Sequence, residues 1–97
     1  MIRSFADRGT EDLFDGLDSR AARATCPTAV WRVARRKLDQ LHRVRDVAEL
    51  AVPPGNRLER LRGDRLGQWS IRINAQYRVC FRWDGGYAHD VEITDYH

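Results

Sequence analysis

The residues whose types could do chemistry lie at the end of the chain and in its arginine-rich second half. The last three residues are an aspartate, a tyrosine and a histidine, and the last two can exchange protons. Cleavage of an RNA phosphodiester requires a base for the 2′-hydroxyl proton, an acid for the leaving 5′-oxygen, and cations that stabilise the charge on phosphorus. Five residues could share these tasks without a metal ion: Glu59, Arg62, Arg78, Tyr96 and His97. The sequence does not assign the acid and base roles among Glu59, Tyr96 and His97.

The tail by itself is weak support for a catalytic site. Terminal residues are often frayed, and a C-terminal histidine such as His97 is usually a surface residue. Tyr96 could instead cover the core, and Asp95 could pair with an arginine on a neighbouring strand. We interpret His42 and His89 as structural or surface residues.

Cysteine spacing gives no indication of a disulfide, a metal site or a cofactor. Cys26 and Cys80 lie far apart and form neither a CxxC pair nor a zinc-ligand spacing. Cys80 stands between two apolar residues, which favours a packed, inert thiol over a nucleophile.

Positive charge is concentrated in one stretch of the chain. Of the 17 basic residues 16 are arginine, and residues 57–82 hold seven of them against two acids, a local net charge of +5. Arginine matches a phosphate with a planar fork of donors and keeps its charge, so this block favours a polyanionic partner. A solvated ionic face of a small domain is the alternative. Four arginines of the block are predicted to bind substrate: Arg57, Arg65, Arg72 and Arg82.

Length and composition favour a single domain over residues 1–97. The chain has no composition break or internal repeat, and 42% hydrophobic with 32% charged residues indicates a compact core under an ionic surface. Residues 1–9 have no apolar run suited to a signal peptide, and no stretch reaches membrane-spanning length. We therefore expect a cytoplasmic location and no membrane partner.

The first half of the chain is predicted to form a short strand and two helices. Residues 2–5 alternate between apolar and polar types, as in a strand. Thr10, followed by two acidic residues, resembles a helix cap, and Gly16 would end that helix early. Over residues 27–43, apolar residues fall on one side of a 3.6-residue wheel and arginines on the other. Lys37, at the edge of the apolar stripe, is expected to extend its charge to solvent.

The second half is predicted to form an antiparallel meander. Residues 53–56, Pro-Pro-Gly-Asn, form a loop that a helix cannot cross. Apolar and polar residues then alternate over 69–74 and 77–83, and Asp-Gly-Gly at 84–86 predicts a hairpin turn before a last strand over 87–94. The predicted fold class is therefore α+β, with a strand, two helices and a small sheet whose apolar face the helices cover.

The strand alternation also sorts the arginines. Arg72, Arg78 and Arg82 alternate with the apolar residues of their strands, so they are predicted to lie on the face without helices. An open sheet face lined by arginine is typical of a surface that holds nucleic acid.

Several segments of the second half together carry a family resemblance. They are residues 56–59 (NRLE), 61–65 (LRGDR), 69–74 with 77–81 (WSIRIN and YRVCF), and 91–97 (VEITDYH). These motifs, in this order, resemble the HigB group of host-killing toxins in the RelE/ParE superfamily. The likeness covers nearly the whole chain, and its order of elements agrees with the strands and helices predicted above.

The resemblance implies a ribosome-dependent endoribonuclease that cuts messenger RNA in the decoding site. It also implies a partner, a helix-turn-helix antitoxin of the HigA type, with the toxin itself a monomer that assembles further through an antitoxin dimer. The positions that match the active site of such toxins are Arg62, Arg78, Asp95, Tyr96 and His97.

This chain departs from the family pattern at three positions. Some members have histidine where it has Glu59, lysine where it has Arg62, and arginine where it has Asn74. Arginine does not readily release a proton, so Arg62 could stabilise the phosphorane but not act as the acid, which leaves that task to His97 or Tyr96. Arg72 could compensate for Asn74.

Two other functions remain possible at this level. The same fold could serve a ParE-like toxin that inhibits DNA gyrase by binding it, although such a toxin needs no proton-transfer residues at its terminus. The chain could also be an RNA-binding module without chemistry.

Overall fold

The computed structural model describes residues 1–96 as three α-helices and a four-stranded antiparallel sheet. The helices are α1 (Arg8–Phe14), α2 (Arg20–Thr25) and α3 (Thr28–Arg43). The strands are β1 (Glu59–Arg60), β2 (Gln68–Arg72), β3 (Tyr77–Asp84) and β4 (Tyr87–Asp95). Three 3-10 turns connect them: Val47–Ala51, Pro54–Asn56 and Gly63–Arg65. His97, a predicted catalytic residue, lies outside the described residues.

The region before α3 differs from the prediction, because it contains two helices rather than one. Asp7, not Thr10, caps α1: its carboxylate accepts a hydrogen bond from the Thr10 N–H at 2.7 Å. Thr10 is buried, and its hydroxyl accepts from the Ile93 N–H at 3.0 Å. α2 was missed because its sequence, RAARAT, has no apolar stripe, and it packs so closely on α1 that a Cβ at Gly9 would lie 2.5 Å from the Ala21 carbonyl oxygen.

The prediction for α3 is confirmed in its bounds and in its buried side. Pro27 precedes the first turn, and the buried residues include Trp31, Leu38 and Leu41. The expected position of Lys37 is wrong, because this lysine is buried and its ammonium donates to the side-chain oxygen of Asn56. The turn Pro54–Asn56 presents that buried amide to α3, and a hydrogen-bonded site of this kind holds the ammonium inside the protein.

The predicted first strand forms only two isolated parallel bridges, Ile2 to Ala88 and Phe5 to Val91. Between these bridges Asp90 has a left-handed backbone (φ 53°), and the pairing of β3 with β4 changes register between Cys80 and Arg82. A bulge interrupts the ladder to which a neighbouring strand could pair, so residues 2–5 do not form a continuous strand.

The predicted meander is confirmed: the strand order is β1-β2-β3-β4, and each neighbouring pair is antiparallel. Gly85 and Gly86 form the β3–β4 turn with φ values of 59° and 85°, a conformation that favours glycine. One face of the sheet packs on the helices, where Phe81, Val79 and Leu38 are fully buried. Among residues 1–96, no helix is both long enough and apolar enough to cross a membrane.

Candidate active site

The sheet face opposite the helices is largely closed, which corrects the predicted open face. Ser70, Arg78 and Cys80 on this face are all buried. The connection between β1 and β2, residues 61–67, lies over them, and we call it the cover. Arg65 in this connection reaches past β2 and β3 to Glu92 on β4, with 3.0 Å between Arg65 Nη1 and Glu92 Oε1. β1 has only two residues and no alternation to detect, so the sequence did not reveal this cover.

β1 places Glu59 at the edge of the sheet in a defined register. Glu59 pairs with Ser70 on β2, Ser70 with Cys80 on β3, and Cys80 with Glu92 on β4. Just before β1, Arg57 has a left-handed backbone with φ 45° and ψ 57°. This conformation is rare for a residue with a side chain, and it turns the chain so that the Arg57 carbonyl accepts from Arg78.

The guanidinium of Arg78 is the centre of the site. From β3 it crosses β2: Nε donates to the Ser70 hydroxyl at 2.8 Å, Nη2 donates to the Arg57 carbonyl at 2.6 Å, and Nη1 lies 3.4 Å from the Glu59 carboxylate. Arg78 is 8% exposed. A buried cation is stable only when hydrogen bonds and opposite charge satisfy it, and here two N–H groups donate hydrogen bonds while the Glu59 carboxylate provides the opposite charge. The guanidinium is therefore fixed in place.

Tyr96 closes a cleft next to this guanidinium. Its N–H donates to the Gln76 carbonyl at 2.9 Å, and its ring centre lies 5.8 Å from Cζ of Arg78, a cation-π distance. The cleft has a volume of about 430 Å³ and is lined by Glu59, Arg60, Leu61, Arg62 and Tyr96. We call it the Arg78 cleft. Its lining provides a carboxylate, a phenol and the two exposed arginines Arg60 and Arg62, and the buried Arg78 contacts this lining through Glu59 and Tyr96.

The structure brings together four of the six predicted catalytic residues: Glu59, Arg62, Arg78 and Tyr96. Arg62 is exposed and forms no ion pair with another residue of 1–96, so its cation can move toward a ligand. Asp95 lies on the other face of the sheet, because it pairs with the core residue Tyr77 and lines a shallow pocket beside α1 and α2. Its carboxylate accepts from the side-chain amide of Gln76 at 2.9 Å.

The predicted substrate-binding arginines do not form one cluster. Arg72 is the direct cross-strand neighbour of Arg78, and its Nε donates to the Asn74 carbonyl at 3.0 Å. Arg57 follows the turn Pro54–Asn56 and its side chain is exposed. Arg82 is four residues beyond Arg78, roughly 13 Å along β3, and lies 3.7 Å from Asp90.

Arg65 differs from the other three because two side chains accept hydrogen bonds from its guanidinium. It donates to Gln68 at 3.1 Å and to Glu92 at 3.0 Å. Burial alone would lower the pKa of Arg65, but the hydrogen bond with Glu92 and the nearby Cys80 raise it overall. Arg65 therefore keeps its charge and holds the cover over the sheet.

Cys80 lies below this cover and is fully buried. Burial is the largest influence and raises the pKa of its thiol; Arg65 opposes this rise, Glu92 adds to it, and Arg78 has a smaller opposing effect. Because the thiolate is the reactive form, this environment agrees with the predicted inert thiol. Among residues 1–96, no group of three or more histidine, cysteine or acidic residues is placed to hold a metal ion.

Sequence reasoning missed three groups that position the site: the Ser70 hydroxyl, the Arg57 carbonyl and Gln76. Ser70 occupies a polar position of its strand, on the face where the arginines are predicted. This placement is the signal in the sequence that Ser70 contacts one of them. Every residue has a backbone carbonyl, so residue types do not show which carbonyl accepts a hydrogen bond from Arg78.

Comparison with known proteins gives a consistent result over the whole chain. A family described as RelE-like toxin of type II toxin-antitoxin system HigB matches residues 3–97. The chain is 36% identical to Toxin HigB-1 of Vibrio cholerae, over 91% of this chain and 90% of that protein. It is 30% identical to Endoribonuclease HigB of Proteus vulgaris, over 100% of both chains.

Among solved structures, the chain is similar to the YoeB-YefM complex from Staphylococcus aureus. The TM-score is 0.54 at 13% sequence identity, and the match covers 100% of this chain and 98% of that chain. The same values hold for a second structure of that complex, described as a heterotetrameric toxin-antitoxin. At this identity the likeness concerns the fold alone, and it confirms the predicted arrangement of helices on a small sheet.

Proposed function

Because the chain belongs to the HigB family of RelE-like toxins of type II toxin-antitoxin systems, we propose that it is an endoribonuclease that cuts messenger RNA on the ribosome. The observation that carries this proposal is the Arg78 cleft, where a fixed buried guanidinium adjoins Glu59 and Tyr96. Fixed positive charge next to proton-transfer groups is what cleavage of a phosphodiester requires.

Arg78 and Arg62 provide the positive charge in this proposal. Two N–H groups of Arg78 donate to the Ser70 hydroxyl and the Arg57 carbonyl and Nη1 is ion-paired with Glu59, and we assign N–H groups without a hydrogen bond to phosphate oxygens. Because the protein already holds Arg78, the site needs little reorganisation when charge develops on phosphorus. Arg62, exposed and without an ion pair among residues 1–96, can approach the same phosphate from the rim. With two cations at one phosphate, we propose that the reaction needs no metal ion.

The reaction moves two protons. The 2′-oxygen forms a bond to phosphorus as the bond to the 5′-oxygen breaks, which gives a 2′,3′-cyclic phosphate and a 5′-hydroxyl. One proton leaves the 2′-hydroxyl and one joins the 5′-oxygen. We assign the acceptor role to the carboxylate of Glu59, which lines the cleft. Tyr96 and His97 are the two candidates for the donor, since Arg62 and Arg78 do not readily release a proton.

The remaining predicted residues have supporting roles in this proposal. Asp95, on the other face of the sheet, positions Gln76, whose carbonyl accepts from the Tyr96 N–H. Arg57 and Arg72 bind RNA phosphates next to Arg78 and Arg82 binds one farther along β3, whereas Arg65 acts through the cover that it holds. We further propose that the protein works in the cytoplasm, on ribosomes, and that a helix-turn-helix antitoxin binds and silences it.

The test is primer extension on a message in purified ribosomes, with and without the protein, at a magnesium concentration that keeps the ribosome intact and with a chelator selective for transition metals. We expect cut ends with the wild type, and at least a hundredfold slower cutting by Arg62→Ala and His97→Ala, on the order of 3 kcal/mol of lost transition-state stabilisation. Arg20→Ala is the matched control, since Arg20 is an exposed arginine on α2. Its cutting should equal that of the wild type.

Three results would contradict the proposal. Cutting of free RNA but not of ribosome-bound message would contradict the dependence on the ribosome. Cutting that is lost when transition metals are chelated, at a magnesium concentration that keeps the ribosome intact, would show a need for metal. DNA-damage signalling without translation arrest in cells that produce the protein would favour inhibition of DNA gyrase instead.

A further inference from the structure

A second cationic cavity lies on α3, outside the Arg78 cleft. It has a volume of about 370 Å³ and is lined by Arg36, Lys37, Gln40, Arg43 and Pro53. Three of these five residues are cations and none is acidic. None of the three forms an ion pair with another residue of 1–96. A concave surface lined by one sign of charge concentrates counter-ions.

Lys37 is the buried one of these three cations. Its ammonium is buried and donates to the Asn56 side-chain oxygen, which uses one of its three N–H groups. Burial, and then the charge of Arg36, lower the pKa of Lys37. A neighbouring anion would offset both effects, and no carboxylate within residues 1–96 does so. The side chain of Gln40 does not replace such an anion, because its amide is already hydrogen-bonded to Val52 and Asn56.

The spacing of the cations fits an extended anion. Arg36 and Arg43 are both exposed and seven residues apart, two helical turns or about 10 Å along α3, with Lys37 beside the first of them. The helix as a whole carries five basic residues against Asp39. Arginine forks match phosphate oxygens, and a nucleic-acid backbone presents a phosphate at each nucleotide.

We propose that this cavity is a second anion site, which binds backbone phosphates of RNA through Arg36, Lys37 and Arg43 at a distance from the cleaved bond. The choice of RNA rests on the proposed function, whereas the cavity and its unpaired cations do not. The site is also joined to the Arg78 cleft. Lys37 bonds to Asn56, the next residue is Arg57, and the Arg57 carbonyl holds Arg78.

The test uses a 2′-O-methyl oligoribonucleotide, which the protein cannot cleave because the attacking hydroxyl is blocked. Binding is measured by fluorescence anisotropy over a range of salt concentrations. For Arg36→Ala/Arg43→Ala we expect weaker binding, and a slope of log K against log salt that is reduced by about 1 for each phosphate that the variant no longer neutralises. Both residues are exposed, so we expect the double variant to unfold at the wild-type temperature.

Arg32→Ala is the matched control, since Arg32 is exposed on the same helix but does not line the cavity. A double variant with the salt slope of this control would overturn the inference, as would a wild type that does not bind the oligonucleotide. Two further probes separate the sources of negative charge. If the double variant loses binding of inorganic phosphate or of a polyglutamate peptide but keeps its affinity for RNA, the inference is wrong.

Failure of the second anion site can be distinguished from failure of the proposed ribonuclease function. The oligonucleotide assay measures binding without cleavage, whereas the ribosome assay measures cut ends. A wild type that cuts no message but binds the oligonucleotide through Arg36 and Arg43 would refute the first proposal and support the second.

Discussion

Replacement of Ser70 by alanine tests whether Arg78 must be held in place. The Ser70 hydroxyl is fully buried and accepts from Arg78 Nε at 2.8 Å. In Ser70→Ala this N–H has no acceptor at that position. A hydrogen bond to a charged group contributes about 1.5–3 kcal/mol, so we expect the free energy of unfolding to fall by roughly 2 kcal/mol. For a domain of this size that corresponds to a melting temperature lower by about 8–16 °C.

The same substitution should affect catalysis through the position of the guanidinium. If half or more of the roughly 2 kcal/mol lost from the hydrogen bond also stabilised the transition state, kcat on ribosome-bound message falls about fivefold to thirtyfold. KM should change little, because Ser70 is buried and cannot contact RNA directly. Rates are compared at a temperature where both proteins are folded, as measured by circular dichroism.

Ser4→Ala is the matched control for Ser70→Ala. The Ser4 hydroxyl also accepts one hydrogen bond, from the Asp90 N–H at 2.9 Å, but far along β4 from the Arg78 cleft. We expect this control to lose at most about 1 kcal/mol of stability and to keep its kcat. A Ser70→Ala protein with reduced stability and wild-type kcat would refute the claim that catalysis needs Arg78 to be held by this hydroxyl.

Three further outcomes follow from buried polar groups. Asn56→Ala removes the acceptor of the Lys37 ammonium and the hydrogen bonds to Gln40 and Leu50, so urea denaturation should show a loss of about 2–4 kcal/mol. Burial raises the pKa of the Cys26 and Cys80 thiols, so a thiol-reactive disulfide reagent should modify neither until denaturant is added. Burial and Arg36 lower the pKa of Lys37 below its ordinary 10.5, so the unfolded chain binds that proton more tightly than the folded protein. The free energy of unfolding should therefore increase as the pH rises toward 10.5. Lys37→Met should abolish this increase in urea titrations.

The parts of the fold with strong periodicity could be predicted from the sequence. α3 and the β3–β4 hairpin follow directly from the 3.6-residue pattern, the period-two alternation and the Gly85-Gly86 turn. The elements that were missed, α2 and β1, are six and two residues long and carry no such pattern. Their positions depend on packing with distant residues, which local sequence does not encode.

The residues of the candidate site could be predicted from the sequence better than their spatial arrangement. Residue type and family resemblance point to Glu59, Arg62, Arg78 and Tyr96, and the structure places them together. The prediction of an open arginine face was wrong, because alternation tells which side of a strand a residue occupies but not what lies above it. That cover depends on Arg65 reaching Glu92, 27 residues away in the chain.

The cleft depends on segments that are far apart in the sequence. Arg78 lies on a central strand, but its partners Glu59 and the Arg57 carbonyl belong to a segment that the sheet holds through only two residues of β1. What fixes that segment from the other side is Asn56, whose buried amide bonds to the backbone of Leu50. Because a two-residue strand provides little stability, loosening the Asn56 contacts should release Arg78 even when the sheet stays intact. The position of the guanidinium therefore depends on α3, to which Lys37 ties Asn56, as much as on the strand that bears it.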